Sequence, residues 1–326
     1  MKVVGPRPSS SPKVTVVVPA RNEARNLEIV LPTLPVDAEV IVVDGHSVDD
    51  TAEVVARVRP DARLLQQSRR GKGNALAVGF AAATGDIIVM FDADGSADVA
   101  EIPRFVAALL AGADFAKGSR VMTGGGSTDI TLLRDTGNKV LTGITNIAFR
   151  TRYTDLCYGY NAFWADVLPL LDLPDPRPEA DSMLWGDGFE IETVINCRVA
   201  RAGLEVVEVP SMELERQFGE SNLNAFSDGI RVFRTLCTER FRRPVAPAAA
   251  AATHAHSSAG QAAPRATVPA VQIKEKGLEN GEDKSLDPGG PLGIPEAMAT
   301  ATVTPFTGVP VVEIPAQVDV RAEASA

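Results

Sequence analysis

From residue 13 onward the chain alternates short apolar, β-branched runs with longer amphipathic ones. Residues 13–18, 39–43, 63–66, 87–91 and 114–117 read as strands, because each is a brief apolar run closed by turn-forming residues. Patterns that open at Asn22-Glu23, at Asp49 or Asp50, after Gly71-Lys72-Gly73-Asn74 and at Ala100 read as helices. Such alternation predicts an α/β fold, a mainly parallel sheet flanked by helices, with ligands beyond the carboxyl ends of the strands. Four polar clusters, at 19–23, 44–47, 92–96 and 118–120, fall at those ends and are expected to converge on one rim.

Beyond Arg120 the pattern loosens. Gly124-Gly125-Gly126-Ser127 is a candidate mobile loop, and Leu132–Phe149 has helical periodicity, with Arg134 and Asn138 on it. Residues 154–163 mix aromatics, glycine and polar groups, which suits either a sugar or acceptor pocket or a buried hairpin. A helix is expected from Gly188 to Ala200, closed by Gly203, then a strand over 204–209 and a charged loop over 215–222. The last helix, 224–240, can gather Ile230, Phe233, Cys237 and Phe241 on one face, with arginines on the other side and at its end. Two readings are open: a peripheral membrane contact, or a helix packed on the sheet with arginines at its favourable terminus. The second is the expectation, since amphipathicity is general among surface helices.

The chemistry centres on Asp92-Ala93-Asp94-Gly95-Ser96. Alternation along a strand puts Asp92 and Asp94 on the same side, roughly 6.6 Å apart along the chain, so both can approach one ion. Gly95 allows a sharp turn, and Ser96 offers a third oxygen. Oxygen ligands of this kind suit Mg2+ or Mn2+ with positions left for phosphate oxygens. The alternative is an ordinary turn with Asp92 capping the next helix.

Composition narrows the class. A net charge of −10 and the absence of a basic face argue against nucleic acid as a partner. Three cysteines, far apart and odd in number, suggest neither a disulfide framework nor a zinc cluster and point to a reducing, cytoplasmic setting. No stretch is apolar and long enough to span a bilayer, and residues 1–12 lack the apolar core of a secretory signal. The expected organisation is a flexible N-terminus (1–12), one catalytic domain (13–243) and a disordered Ala/Pro-rich tail (244–326).

Taken together, Val16-Val17-Val18-Pro19-Ala20-Arg21-Asn22-Glu23, Val42-Val43-Asp44-Gly45-His46-Ser47, Gly71-Lys72-Gly73, Asp92-Ala93-Asp94 and Gly118-Ser119-Arg120 resemble the family 2 glycosyltransferases. The resemblance covers residues 13 to about 240 and is nearest to the dolichol-phosphate mannosyltransferase and polyprenyl-phosphate glycosyltransferase branch. It implies a GT-A fold and inverting, metal-dependent transfer of a hexose from a UDP- or GDP-sugar to an acceptor, with polyprenyl phosphate as one candidate. It also implies a cytoplasmic protein, with the inner membrane face as an alternative site of work. By the same resemblance Pro19, Ala20, Arg21, Glu23, Asp44, Lys72, Asp92, Ala93 and Asp94 would hold the donor, and Asp92, Asp94 and Ser96 the metal. Asp94, Arg120 and Arg216 would act in transfer, the arginines on phosphates. Should the acceptor be a hydroxyl, Asp187, Glu190 and Glu192 are the candidate bases, with Glu190 preferred. This chain departs from the family pattern at Arg21, where an aromatic is common, at Gly45, where a second aspartate is common, and at Asn222, where a lysine is common. Rival readings are a sugar nucleotidyltransferase, disfavoured by the glycine-free loop after the first strand, and a non-catalytic nucleotide-sugar-binding protein.

Overall fold

The computed structural model describes residues 7–178, 180, 182–219 and 225–242. The expected tail, residues 1–6 of the expected flexible N-terminus, and Asn222 lie outside the described residues.

Val16–Val18 and the whole of 87–90 are apolar on both faces, which suits the interior of a parallel sheet covered on either side. The strands are β1 (Val14–Ala20), β2 (Glu39–Asp44), β3 (Arg63–Gln66), β4 (Ile87–Met90), β5 (Phe115–Ser119), β6 (Gly126–Ser127), β7 (Asn161–Trp164), β8 (Val206–Pro210) and β9 (Met212–Glu213). The helices are α1 (Ala24–Val30), α2 (Thr51–Val58), α3 (Lys72–Ala82), α4 (Ile102–Leu110), α5 (Leu132–Phe149), α6 (Leu168–Leu171), α7 (Ile191–Ala202) and α8 (Ala225–Phe241). Seven strands form one sheet in the order β3-β2-β1-β4-β7-β5-β8, and β6 pairs with β9. All neighbours in the large sheet run parallel except β7, which is antiparallel to both β4 and β5. The expected mainly parallel sheet is therefore present, with one reversed strand inside it.

That strand comes from the ambiguous aromatic stretch. Phe163 packs edge-on to Phe80 of α3 at 5.4 Å and stacks on Phe115 of β5 at 5.7 Å, so the second half of the stretch is core. The first half leads to the rim. The glycine run expected to be a mobile loop is tied down in part, since Gly126 and Ser127 pair with Met212 and Glu213.

The final helix turns the other way from expectation. Thr235, Leu236 and Glu239 are its buried positions, whereas Ile230, Phe233, Cys237 and Phe241 are exposed. Buried Arg198 of α7 reaches in to pair with Glu239 at 2.9 Å, which draws the polar side of α8 inward. The apolar stripe faces out because α7 supplies a charge partner for Glu239, and it does not pack on the sheet.

Candidate functional site

The carboxyl ends of β1, β4 and β5 open on a cleft of about 880 Å³. Residues 19–23 after β1, Asp92 to Asp94 and Ser96 after β4, Arg120 after β5, Lys72 on α3 and Arg216 after β9 all line it, so the rim convergence is observed. Asn22 and His46 have φ of 56° and 58°, a conformation that side chains rarely adopt, where the loops after β1 and β2 cross. The crossing is pinned by hydrogen bonds from the Asn22 N–H to Ser47 Oγ and from the Val48 N–H to Asn22 Oδ1, each 2.8 Å.

Lys72 is brought to the cleft by a close backbone approach. A side chain at Gly71 or Gly73 would meet the carbonyl oxygen of Asp187 at 2.1 Å or of Gly186 at 1.9 Å, so glycine is required on both sides of the lysine. This contact also fixes the segment that carries Glu192. The Lys72 ammonium lies 2.7 Å from Asp92 Oδ1 and 2.7 Å from Glu192 Oε1. Burial alone would push Lys72 down, but Asp92 and Glu192 hold it above its ordinary value. The Asp92 carboxyl is pushed up by its place deep in the cleft and by Asp94 and Glu192, against the opposing pull of Lys72.

Asp94 is held from two sides. Its Oδ1 accepts from the Ser96 N–H at 3.0 Å and the Ser96 hydroxyl at 2.7 Å, across the turn that Gly95 makes with φ of 79°. Its Oδ2 faces Arg216 at 3.4 Å, and Arg216 also reaches Glu23 at 3.0 Å. Ser96 thus orients Asp94 in the role of a donor, whereas the sequence suggested a free third oxygen. The loop that carries Arg216 is docked by the Asn26 side chain, which exchanges hydrogen bonds with the backbone of Phe218 at 2.9 and 3.1 Å.

Lys72 and Arg216 therefore stand against four carboxylates, Asp92, Asp94, Glu192 and Glu23, a surplus of two negative charges at the strand ends. Among the described residues no group of three His, Cys, Asp or Glu side chains forms a ready-made metal cage. Two carboxylates with uncompensated charge still fit a hard cation that takes its remaining ligands from phosphate and water. The residues present fit a divalent ion at Asp92 and Asp94.

Other expected residues are placed differently. Arg120 lines the cleft, but its guanidinium is engaged by Asp155 at 2.7 and 3.0 Å and by Glu213 at 3.0 Å, and it lies over the Tyr158 ring at 4.9 Å. Despite burial, these two carboxylates keep it charged. Asp44 accepts from the Ser47 N–H at 3.2 Å and is absent from the cleft wall, where Gly45 and Gln67 stand. A side chain at Gly45 would lie 3.0 Å from the Cβ of Arg21, so the two departures from the family pattern fit each other in space. Glu190, the preferred base, is corrected: it is buried, is not among the residues that line the cleft, and accepts from the N–H groups of Gly186 and Gly188 at 3.0 and 3.3 Å. Asp187 is likewise occupied, in a bidentate pair with Arg69. Of the three candidate bases only Glu192 lines the cleft. Gln67 and Glu213 escaped the sequence reading, since neither belongs to a motif.

The far wall is built from Ile130, Leu133, Leu141, Phe189 and Val232, with Arg134 and Arg231 among them. Cys157, Tyr158 and Gly159 also face the cleft, so the pocket reading of 154–163 holds for its first half.

Residues 15–169 match the family model for glycosyl transferase family 2. An uncharacterized glycosyltransferase of Mycobacterium tuberculosis is 44% identical over 107 residues, 33% of this chain and 48% of that protein; the match thus spans about half the length of that relative. The undecaprenyl-phosphate mannosyltransferase of Micrococcus luteus is 31% identical over 222 residues, covering 65% of this chain and 88% of that one. In structure the chain is similar to glucosyl-3-phosphoglycerate synthase from Mycobacterium tuberculosis, solved with Mn2+, uridine diphosphate and phosphoglyceric acid. The TM-score is 0.55 at 22% identity, over 72% of this chain and 80% of that one, which shows a shared GT-A-like fold.

Proposed function

The chain belongs to glycosyl transferase family 2, and from that premise we propose that it transfers a hexose from a UDP- or GDP-sugar, with inversion, to a polyprenyl phosphate. The observation that carries this reading is the surplus of negative charge at Asp92 and Asp94, set at strand ends in a cleft whose lining also gathers Ile130, Leu133, Leu141, Phe189 and Val232. The similar synthase is solved with Mn2+ and a uridine nucleotide, which supports a nucleotide-sugar donor and a divalent ion, Mg2+ or Mn2+, at these two residues. Bound there, the ion would neutralise the diphosphate as it leaves.

The protein's own groups do the rest. Pro19 to Glu23 and Gln67 form the side of the cleft where a nucleoside would lie. Arg216 is 3.4 Å from Asp94 and can exchange that carboxylate for a phosphate oxygen of like geometry. Lys72 holds Asp92 and Glu192 in place and opposes the protonation of Asp92. A lipid phosphate attacks with an oxygen that is already anionic, so no base has to take a proton. The apolar wall of Leu133, Leu141, Phe189 and Val232 suits the first isoprene units of such an acceptor.

The acceptor reading extends to the surface. Leu133, Val140 and Ile147 recur along α5, and Ile230, Phe233 and Phe241 along α8; all six are exposed. Among the described residues no helix is long and apolar enough to cross a membrane. These two stripes are instead the face on which the protein would lie at the cytoplasmic side of a bilayer, with Leu133 at the mouth of the cleft.

The deciding experiment incubates the protein with Mn2+ and a panel of UDP- and GDP-sugars, with and without polyprenyl phosphate. Release of nucleoside diphosphate that rises with the lipid is expected. Release of pyrophosphate, or binding with no turnover, would overturn the reading in favour of a nucleotidyltransferase or a binding protein.

A further inference from the structure

A second cavity, about 240 Å³, lies away from the cleft and is lined by Ala148, Phe149, Arg150, Arg201 and Arg240. Both α5 and α8 lead to it from the cleft. Leu133 and Val232 line the cleft, and Arg150 and Arg240 line the cavity. At 1.5 Å per residue, the stretches from Leu141 to Arg150 and from Val232 to Arg240 place the nearer edges of the two openings roughly 12–14 Å apart. The exposed apolar stripes run between them, and Ile147 and Phe241, 85% and 82% exposed, flank the second opening in sequence.

The arginines there differ from those that tie the fold and the cleft together. Arg69, Arg120, Arg198 and Arg216 each face a carboxylate. Among the described residues, Arg150 and Arg240 make no ion pair or side-chain hydrogen bond, and Arg201 donates only to the carbonyls of Glu239 and Arg242. Those two carbonyls hold Arg201 in a fixed pose and satisfy the end of α8. The partial negative charge at three helix ends, about half a unit each, leaves about half of the three guanidinium charges uncompensated. The surplus extends along the face. Residues 132–150 carry Arg134, Lys139 and Arg150 against Asp135, and residues 225–242 carry four arginines against Asp228 and Glu239, a surplus of two in each within a chain of net charge −10.

We propose that this three-arginine cavity binds the phosphate headgroup of an anionic phospholipid and so fixes the α5–α8 face on the membrane with the cleft mouth at its surface. The proposal rests on the membrane contact proposed above. A headgroup in the cavity would accept from the exposed guanidinium groups of Arg150, Arg201 and Arg240, while its acyl chains would run beside Ile147 and Phe241. The arginines give the charge, and the stripes give the orientation.

The test is sedimentation of the full chain with vesicles of phosphatidylglycerol and phosphatidylcholine, and with phosphatidylcholine alone. The double variant Arg150→Gln/Arg240→Gln is compared with Arg57→Gln/Arg177→Gln, which removes the same charge from surface ion pairs elsewhere. Each arginine at an anionic surface is worth about fivefold in partition, so the cavity variant should bind the anionic vesicles about 25-fold more weakly. The control should stay within about twofold, because neither of its arginines lies on α5 or α8. Equal losses in both doubles would overturn the site in favour of diffuse attraction. Binding unchanged in the cavity variant but lost in Phe233→Asp would overturn the site while the membrane contact stands. No vesicle binding by the parent chain would overturn both, whether titration then shows inorganic phosphate in the cavity or gel filtration shows a dimer broken by Phe233→Asp.

Discussion

The start of α3 with the loop before it and the start of α7 with the segment before it share two ion contacts, Arg69 with Asp187 and Lys72 with Glu192, and the two differ in what is left over. Arg69 and Asp187 are each 1% exposed, with N–O distances of 2.7 and 3.0 Å, and Arg69 spends its remaining donors on the carbonyls of Asp175 and Pro178 at 3.0 and 2.9 Å. Charge and hydrogen bonds both close. Lys72 is one ammonium between two carboxylates, with Asp94 beside Asp92 and open cleft in front. Charge there does not close. A buried pair that satisfies itself holds a fold together, whereas a partly open cluster with net charge is prepared for a ligand.

The largest effect is expected from opening the closed pair. Arg69→Ala leaves Asp187 buried and uncompensated, which should cost about 3–5 kcal/mol in urea unfolding. Activity should then fall only in proportion to the unfolded fraction. A loss below about 1 kcal/mol would mean that the pair is not what joins the two segments.

Next comes the open cluster. Asp94→Asn keeps an acceptor for Ser96 but removes the charge, so the urea midpoint should hold while nucleoside diphosphate release falls about a hundredfold or more. Near-parental turnover would remove Asp94 from the chemistry. Lys72→Met is expected to act mainly through pH. Asp92 is already pushed up by burial and by Asp94 and Glu192, and Lys72 opposes this, so its loss raises Asp92 further. Protonation of Asp92 then begins at higher pH, and the acid limb of the pH–rate profile should move upward, with turnover about tenfold lower near neutrality and partly restored in alkali. An acid limb that stays in place would show that Asp92 does not have to be ionised for turnover.

This contrast also marks what the sequence could convey. The strand ends were legible because each motif, from Pro19 to Arg120, follows an apolar run whose direction is fixed by the parallel sheet. Lys72 was legible through its flanking glycines, although their cause, contact with the backbone of Gly186 and Asp187, appears only in space. The pairing of Arg216 with Glu23 spans 193 residues and has no local signature. Periodicity showed that α8 is amphipathic, but the side that faces inward is set by Arg198 on another helix. The reversal of β7 was hidden because its direction is set by pairing with β4 and β5, which no local pattern records.

The smallest effect sharpens the comparison most, because it concerns two glutamates two residues apart. Glu190 and Glu192 flank Ile191 at the start of α7, and the reading from sequence preferred Glu190. Glu190 Oε1 accepts from the Gly186 and Gly188 N–H groups, and its other oxygen lies against Gly188, so the side chain acts as a cap for the turn that touches Gly71 and Gly73. A glutamine keeps that acceptor and loses only a charge near a helix N-terminus. Glu190→Gln should therefore shift stability by about 0.3–1 kcal/mol and leave turnover within about twofold. Glu192→Gln, by contrast, takes one of the two carboxylates from Lys72 and should lower turnover several-fold at unchanged stability, since Lys72 then bears on Asp92 alone. If Glu190→Gln were instead the variant that lost turnover while the urea midpoint held, the carboxylate that matters would be the one facing the turn. The division between a closed, structural contact and an open, functional one would then fail at the point where the two are nearest.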